Sequence, residues 1–235
     1  MKHYTGLFFL LFINSIVKAQ SGGMPANTLV PELSVSTNLF DRENEKIYKI
    51  DGENVKGSPF LDADWLNGSI VLSDNRVFNV QKVRYNIYAQ VITFLENNQS
   101  LDVTENIKEF TLVFNNNFKR RFVNASNYKK QNTTQYFEVL LESKKGILLK
   151  KYEKKVQADT DIANRNRMKH FETLYTYYYF DIIKDKLASI KRNGNNITEI
   201  LGLTQVQKSQ LVIPLFDNSE EASILSFFNQ YSTLP

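Results

Sequence analysis

Apolar and polar residues alternate along this chain in short runs separated by turn-forming residues. Lys46-Ile47-Tyr48-Lys49-Ile50 alternates strictly, and the Asp51-Gly52 pair behind it is a turn signal, so a first strand is predicted there. From Asn67-Gly68 onward such runs recur at regular intervals. Ser69–Ser73 leads through an Asp74-Asn75 turn into Arg76–Val80. Lys82–Tyr88 and Gln90–Leu95 follow, closed by a turn at Asn97-Asn98-Gln99. Ile107–Phe114 stops at Asn115-Asn116-Asn117. Phe118–Val123, Gln135–Glu142 and Ile147–Tyr152 continue the series, the last two joined through Ser143–Gly146. Strand starts about 8–12 residues apart are the pattern of an antiparallel meander folded into a sandwich or a partly open barrel.

The pattern then changes twice. Residues 153–169 are polar and charged, the signature of a long loop. Phe171–Ile183 is dense in aromatic residues and reads as a strand with both faces in use, and Leu187–Lys191 pairs back to it before an Asn193-Gly194 turn. In the last forty residues, Asn196-x-x-Glu199, Thr204-x-x-Gln207 and Asp217-x-x-Glu220 each set a capping side chain three residues before an acid or amide. Those pairs announce helix N-termini. Gly202 and Pro214 are suited to end the first two helices, and Ile224, Phe227, Phe228 and Tyr231 share one face of the third. The predicted fold is therefore mainly β (α+β), with a β domain over 46–192 and a helical segment over 193–235 packed on it. There is no internal repeat.

Ahead of the β domain, Lys2 precedes the apolar run Leu7-Phe8-Phe9-Leu10-Leu11-Phe12-Ile13, which is too short to span a bilayer. Val17-Lys18-Ala19 resembles a cleavage site. Residues 1–19 are thus predicted to be a signal peptide, and 20–45, with Gly22, Gly23, Pro25 and Pro31, a flexible lead-in. The expected location is periplasmic or extracellular. No other stretch approaches 18 apolar residues, so no transmembrane helix is expected in the mature chain.

Composition narrows the chemistry. With 42% hydrophobic residues, 12 Tyr and 17 Phe, the chain is no disordered protein. Lys2 and Lys18 leave with the signal, so the formal charge of +4 falls by two, which is no nucleic-acid signature. There is no cysteine. That absence suits a bacterial envelope, and it excludes a lipid-modified N-terminal Cys, thiolate metal sites and Cys nucleophiles. After cleavage the single imidazole is His170, and no Gly-x-Ser-x-Gly elbow or Gly-rich phosphate loop accompanies it. Asp62-Ala63-Asp64-Trp65-Leu66-Asn67-Gly68 opens like a calcium loop. Leu66 stands where an oxygen ligand is needed, and Ser73 where a bidentate Glu is needed, so a turn burying Trp65 is the better reading. No metal and no cofactor are expected. Five Asn-x-Ser/Thr triplets, at Asn67, Asn98, Asn124, Asn132 and Asn196, are what chance supplies in an Asn-rich chain.

Three groups of residues remain as candidates. Tyr175, Tyr177 and Tyr179 alternate onto one face of the aromatic strand, where they line either a ligand cavity or a packed core. Lys144, Lys145, Lys150, Lys151, Lys154 and Lys155 form a basic segment, but Lys150 and Lys151 face opposite ways on a strand, so the set is no single patch. Asp64, Glu138, Glu142, Glu172 and Asp181 are the acids available to a two-carboxylate hydrolase, which is defined by separation in space and not by spacing in sequence.

Gly57-Ser58-Pro59-Phe60-Leu61 with Trp65 and Gly68, Val83-Arg84-Tyr85-Asn86-Ile87-Tyr88, Tyr136-Phe137-Glu138-Val139-Leu140-Leu141 and Leu148-Leu149-Lys150-Lys151-Tyr152 together give the chain a family likeness. Over residues 46–235 it resembles a family of exported, uncharacterised β-rich proteins of Bacteroidota. The resemblance implies a periplasmic or outer-membrane setting and carries no activity or catalytic residue with it. The expected function is an exported, non-enzymatic envelope protein that binds another envelope component, whether protein, glycan or lipid. The rivals are a carrier of an apolar or sugar ligand in a β cavity lined by Tyr175, Tyr177 and Tyr179, and a glycan hydrolase using two carboxylates.

Overall fold

The structure, a computed structural model, describes residues 35–37, 47–50, 53–128, 135–158, 169–191, 196–212 and 220–234. The strands are β1 (Val35–Thr37), β2 (Ile47–Ile50), β3 (Glu53–Lys56), β4 (Leu66–Leu72), β5 (Val77–Asn86), β6 (Val91–Glu96) and β7 (Gln99–Val103). They continue as β8 (Ile107–Val113), β9 (Lys119–Asn124), β10 (Tyr136–Glu142), β11 (Gly146–Ala158), β12 (Lys169–Asp181) and β13 (Lys186–Ser189). All belong to one sheet, in the order β1-β7-β6-β5-β4-β8-β9-β10-β11-β12-β3-β2, with β13 also pairing β12. The β12–β3 pairing is parallel and the others antiparallel. The protein is mainly β, as the strand spacing predicts, but the sheet is single, mixed and not closed into a barrel. The helices α1 (Ile197–Leu201), α2 (Gln205–Gln210) and α3 (Glu220–Thr233) follow. The predicted signal peptide, nearly all of the lead-in, Asp51-Gly52, Asn132, Asn193-Gly194, Pro214 and Asp217 lie outside the described residues.

Several boundaries differ from the sequence expectation for physical reasons. The expected strands Arg76–Val80 and Lys82–Tyr88 merge into one, β5, which ends at Asn86 where Ile87 and Tyr88 enter a turn. Leu66 faces Val83 while Gly68 faces Val80, so β5 absorbs one extra residue as a bulge, which bends a strand without ending it. Gln99 is no turn residue: Asn97 and Asn98, at φ 49° and 59°, make the hairpin turn alone, and Gln99 starts β7 opposite Glu96. Of the polar stretch 153–169, residues 159–168 lie outside the described residues, and Glu153–Ala158 are paired, running against Lys169–Leu174. Their polarity reflects thin cover, with Lys155, Gln157 and Ala158 exposed and Glu153, Lys154 and Val156 half-buried, not missing backbone partners. The aromatic strand ends at Asp181, whose carboxylate accepts the backbone N–H groups of Ile183 and Lys184 and turns the chain. Asn196 makes no cap bond to α1, because its amide accepts from Lys191 N–H and donates to the Ser189 carbonyl. Thr204 and Gln207 do form the capping box expected of α2, and Gly202 ends α1 in the left-handed region at φ 64°.

The bulge has a long-range effect. Tyr85 of β5 lies 5.2 Å from Phe110, 5.6 Å from Phe122 and 5.7 Å from Tyr136, ring centroid to centroid. In a flat sheet β5 and β10 would stand about 19 Å apart, four strand spacings. The bent β5 therefore carries β6 and β7 back across the face of β8–β11, and Gln90 reaches the Tyr152 carbonyl at 3.3 Å. Between them lies the first core, with Ile70, Leu72, Ile92 and Leu112 almost wholly enclosed. Further along the same face, the helices cover Leu148, Tyr177 and Tyr179 with Ile197, Leu201, Ile224, Phe227 and Phe228. The opposite face holds a third cluster of Val123, Ala125, Phe137 and Leu149. Two covered faces explain why Leu148 to Tyr152 are buried in succession.

Candidate functional site

Tyr175, Tyr177 and Tyr179 share one face of β12, opposite Tyr152, Lys150 and Leu148 of β11. The helices fill the space over two of them. Tyr179 is 2% exposed and stacks on Phe228 at 5.0 Å. Tyr177, equally enclosed, donates its hydroxyl to Glu221 Oε2 of α3 at 3.1 Å. Tyr175 lies at the margin, 40% exposed. Neither of the cavities described below is lined by these three residues.

Beside Tyr177, at the seam between the first two cores, lies a buried polar network. Arg120 grips Glu138 with both branches of its fork, Nε to Oε1 at 2.6 Å and a terminal nitrogen to Oε2 at 2.7 Å. The Tyr152 hydroxyl accepts from Arg120 at 2.6 Å and donates to Glu138 Oε2 at 2.8 Å. Burial works against the charge on Arg120, and the Glu138 carboxylate outweighs it, raising the guanidinium above its usual range. Burial and then the charge of Glu138 push the Tyr152 phenol far up, so it stays a neutral donor. On the next strand pair Lys150 bonds Glu221 and sits over the rings of Tyr175, Tyr152 and Tyr177 at 4.5, 4.9 and 5.3 Å. The network ties sheet to helix and engages both oxygens of Glu138 in three hydrogen bonds. Sequence reasoning named Glu138 as one acid among five and overlooked Arg120 and Glu221. A signal existed: Glu138 falls in phase with Tyr136 on its strand, and Lys150 with Leu148 and Tyr152, charges set at inward positions.

The larger cavity, about 450 Å³, opens where the folded-back β6 and β7 meet the ends of β8, β9 and β10. Ile92, Val103, Ile107 and Tyr136 form its floor, each under 10% exposed. Gln90, Thr104, Glu105, Asn106 and Asn124 supply a polar rim. Most rim groups are already engaged. Gln90 Oε1 accepts from Tyr85, Asn124 bonds the Ile107 carbonyl and Ser126 N–H, and Glu105 pairs with Arg76. Tyr136 differs. It is 6% exposed, its hydroxyl makes no hydrogen bond to any described residue, and burial alone raises its phenol to about 12. A second hollow of about 200 Å³ lies between Tyr48, Tyr88 and Phe171, with Ile50, Pro59 and Ala89, and is almost wholly apolar.

The other candidates occupy structural positions. His170 is exposed between Gln157 and Lys56 on neighbouring strands. Asp62 Oδ1 accepts Asp64 N–H at 2.9 Å, a local turn, while Trp65 packs on the Arg84 guanidinium at 3.7 Å. No group of three or more metal-ligating side chains occurs among the described residues. Glu142 pairs with Arg121, Glu172 accepts from Gln157, and Asp181 fixes its turn. Lys150 and Lys151 do face opposite ways, one toward Glu221 and the other toward Glu153. Lys145 holds the end of α3 by the Tyr231 and Leu234 carbonyls, and Lys154 bonds the Ser58 carbonyl with its ammonium pK lowered by burial.

No protein family, curated protein or solved structure matches this chain. Its function has to be read from the sheet, the network and the cavity themselves.

Proposed function

We propose that the chain is an exported binding module, not an enzyme, and that its ligand site is the cleft floored by Tyr136. The observation that carries this reading is Tyr136: the residue is 6% exposed, its hydroxyl makes no hydrogen bond among the described residues, and it lines a cleft of about 450 Å³. The hydroxyl is not among the fully enclosed unpartnered atoms, so it meets the water of the cleft, and a ligand entering there takes that water's place as its partner. The volume suits a small molecule, and an apolar floor with a few polar groups is the common construction of such sites. Because the phenol keeps its proton to about pH 12, it presents a neutral donor and acceptor. With amides and a threonine on the rim, that favours an uncharged amphiphile such as a sugar. Export is supported by the N-terminal segment, where a short apolar run precedes the cleavage-like Val17-Lys18-Ala19.

A hydrolase reading requires two carboxylates facing open space. Glu105 is the sole carboxylate among the residues lining the cleft, and it is paired with Arg76. The test is a panel of mono- and disaccharides titrated against protein labelled at its Ile and Val methyls. Perturbation centred on Ile92, Val103 and Ile107, lost in Tyr136→Phe, is the expected result. Saturable sugar binding that Tyr136→Phe leaves intact, or no binding across the panel, would overturn the assignment.

A further inference from the structure

Three of the large apolar side chains most open to water are Phe118, Ile182 and Ile183, at 63%, 45% and 82% exposed. They sit on connections that emerge at the same end of neighbouring strands. The antiparallel register puts the β8–β9 turn, the β10–β11 turn and the β12–β13 turn together on that end. The last two turns are joined directly, Ile182 N–H donating to the Lys145 carbonyl at 3.2 Å. The exposure of the two isoleucines is built in. Asp181 accepts the N–H groups of Ile183 and Lys184 at 3.0 Å each, and Lys184 clasps the same carboxylate at 3.0 Å. Those bonds hold the turn with both isoleucines projecting, where a looser turn would fold them onto the sheet.

Charge surrounds these tips with one sign in excess. Lys119, Lys144 and Lys186 are exposed and make no ion pair within the described residues. The acids near them are engaged: Asp181 by Lys184, Glu142 by Arg121, and Asp185 by contacts of its own. The apolar tips are separate, about 10 Å apart for every two strands, and do not merge into one continuous patch. A folded partner with a rigid complementary surface gains little from such a row. A fluid interface accommodates it, taking each tip into the boundary between headgroups and acyl chains while lysines meet the phosphates.

We propose that this end of the sheet seats on an anionic lipid bilayer, with Phe118, Ile182 and Ile183 entering the interface and Lys119, Lys144 and Lys186 facing its phosphates. The inference is independent of the cleft. It is tested by co-sedimentation of the full chain with vesicles of phosphatidylcholine alone and of phosphatidylcholine mixed with phosphatidylglycerol. All variants share one N-terminal segment, so comparison among them isolates the tip. Binding is expected to favour the anionic vesicles and to weaken with salt. Ile182→Ser with Ile183→Ser should lower partitioning about tenfold or more, Lys144→Glu with Lys186→Glu should abolish the preference for anionic lipid, and Val206→Ser, an exposed apolar change on α2, should alter nothing. Both isoleucines are exposed, so unchanged melting of their variant is the check on folding. Equal partitioning of the isoleucine variant and the parent would overturn the proposal. So would failure of the parent to bind anionic vesicles, including the case where a protein partner instead requires Ile183.

Discussion

Replacing Glu138 by Gln removes one charge from the seam and almost nothing else. The volume is kept, so no cavity opens, and the strand position is unchanged. What remains is the Arg120 guanidinium, its side chain 17% exposed, with its bidentate carboxylate gone. The Tyr152 hydroxyl, which donated to the same oxygen, is left facing an amide. Breaking one partner of a buried pair typically costs about 3–5 kcal/mol, because the surviving charge cannot return to water. The isosteric amide still accepts one bond, so the lower end, about 3 kcal/mol, is expected here. With a urea dependence of about 2 kcal/mol per molar for a chain of this size, the unfolding midpoint should fall by about 1.5 M. Removing both charges together is the informative control. Arg120→Met with Glu138→Leu relieves two desolvation costs and should recover most of the loss, giving a strongly non-additive double-mutant cycle. If Glu138→Gln lies within about 1 kcal/mol of the parent, or the two changes simply add, the pair is solvated and the account of the seam is wrong.

Other outcomes are expected from the same geometry. A methyl at Gly146 would stand 2.3 Å from the Tyr179 ring and 2.4 Å from the Phe180 carbonyl, so Gly146→Ala should cost about 3 kcal/mol or fail to fold, read as a drop in melting temperature. Lys145→Met removes the hold on the Tyr231 and Leu234 carbonyls and the contact with the Tyr231 ring at 4.9 Å. It should loosen the end of α3, seen as faster amide exchange there with β8 and β9 unaffected. Alkaline stability follows from the phenols. Burial raises Tyr136 to about 12 and drives Tyr85, Tyr152 and Tyr179 higher still, whereas an unfolded chain ionises near 10. A raised folded value means the stabilisation is complete below pH about 10 and is lost as pH climbs through about 12. Urea midpoints should therefore fall over that window, and absorbance at alkaline pH should show a late group of tyrosines ionising only with unfolding. A single transition near pH 10 for all 12 tyrosines would refute this.

What was legible in the sequence is what depends on near neighbours. Two-residue alternation marks β6, β8, β9 and β10 within a residue or two, β4 begins three residues before its expected start, and Thr204 with Gln207 announces a helix whose cap forms as written. The failures share one cause, which is competition from partners distant in sequence. Asn196 has the chemistry of a cap, but β13 takes its amide first. Residues 153–158 look like a loop because they are polar and at most half-buried, while their backbone is fully paired across β12. Tyr175, Tyr177 and Tyr179 do share a face, yet whether that face lines a cavity or a core depended on where a helix forty residues later would dock. The same logic locates the site. One-residue bulges in β5 and in β8 bend the sheet so that β6 and β7 lie over it, and that reversal creates a cleft against the Tyr136 end of β10. No local pattern around Tyr136 encodes it. The charged seam was nearer to being readable, since Glu138 and Lys150 occupy inward phases of otherwise apolar strands. A charge so placed must have a partner, and finding Arg120 and Glu221 required only the fold. Binding by this protein is therefore expected to respond to changes at the β5 bulge, far from the cleft in sequence. Deleting the extra residue, Gln81 or Lys82, should flatten β5 and erase the site together with the first core.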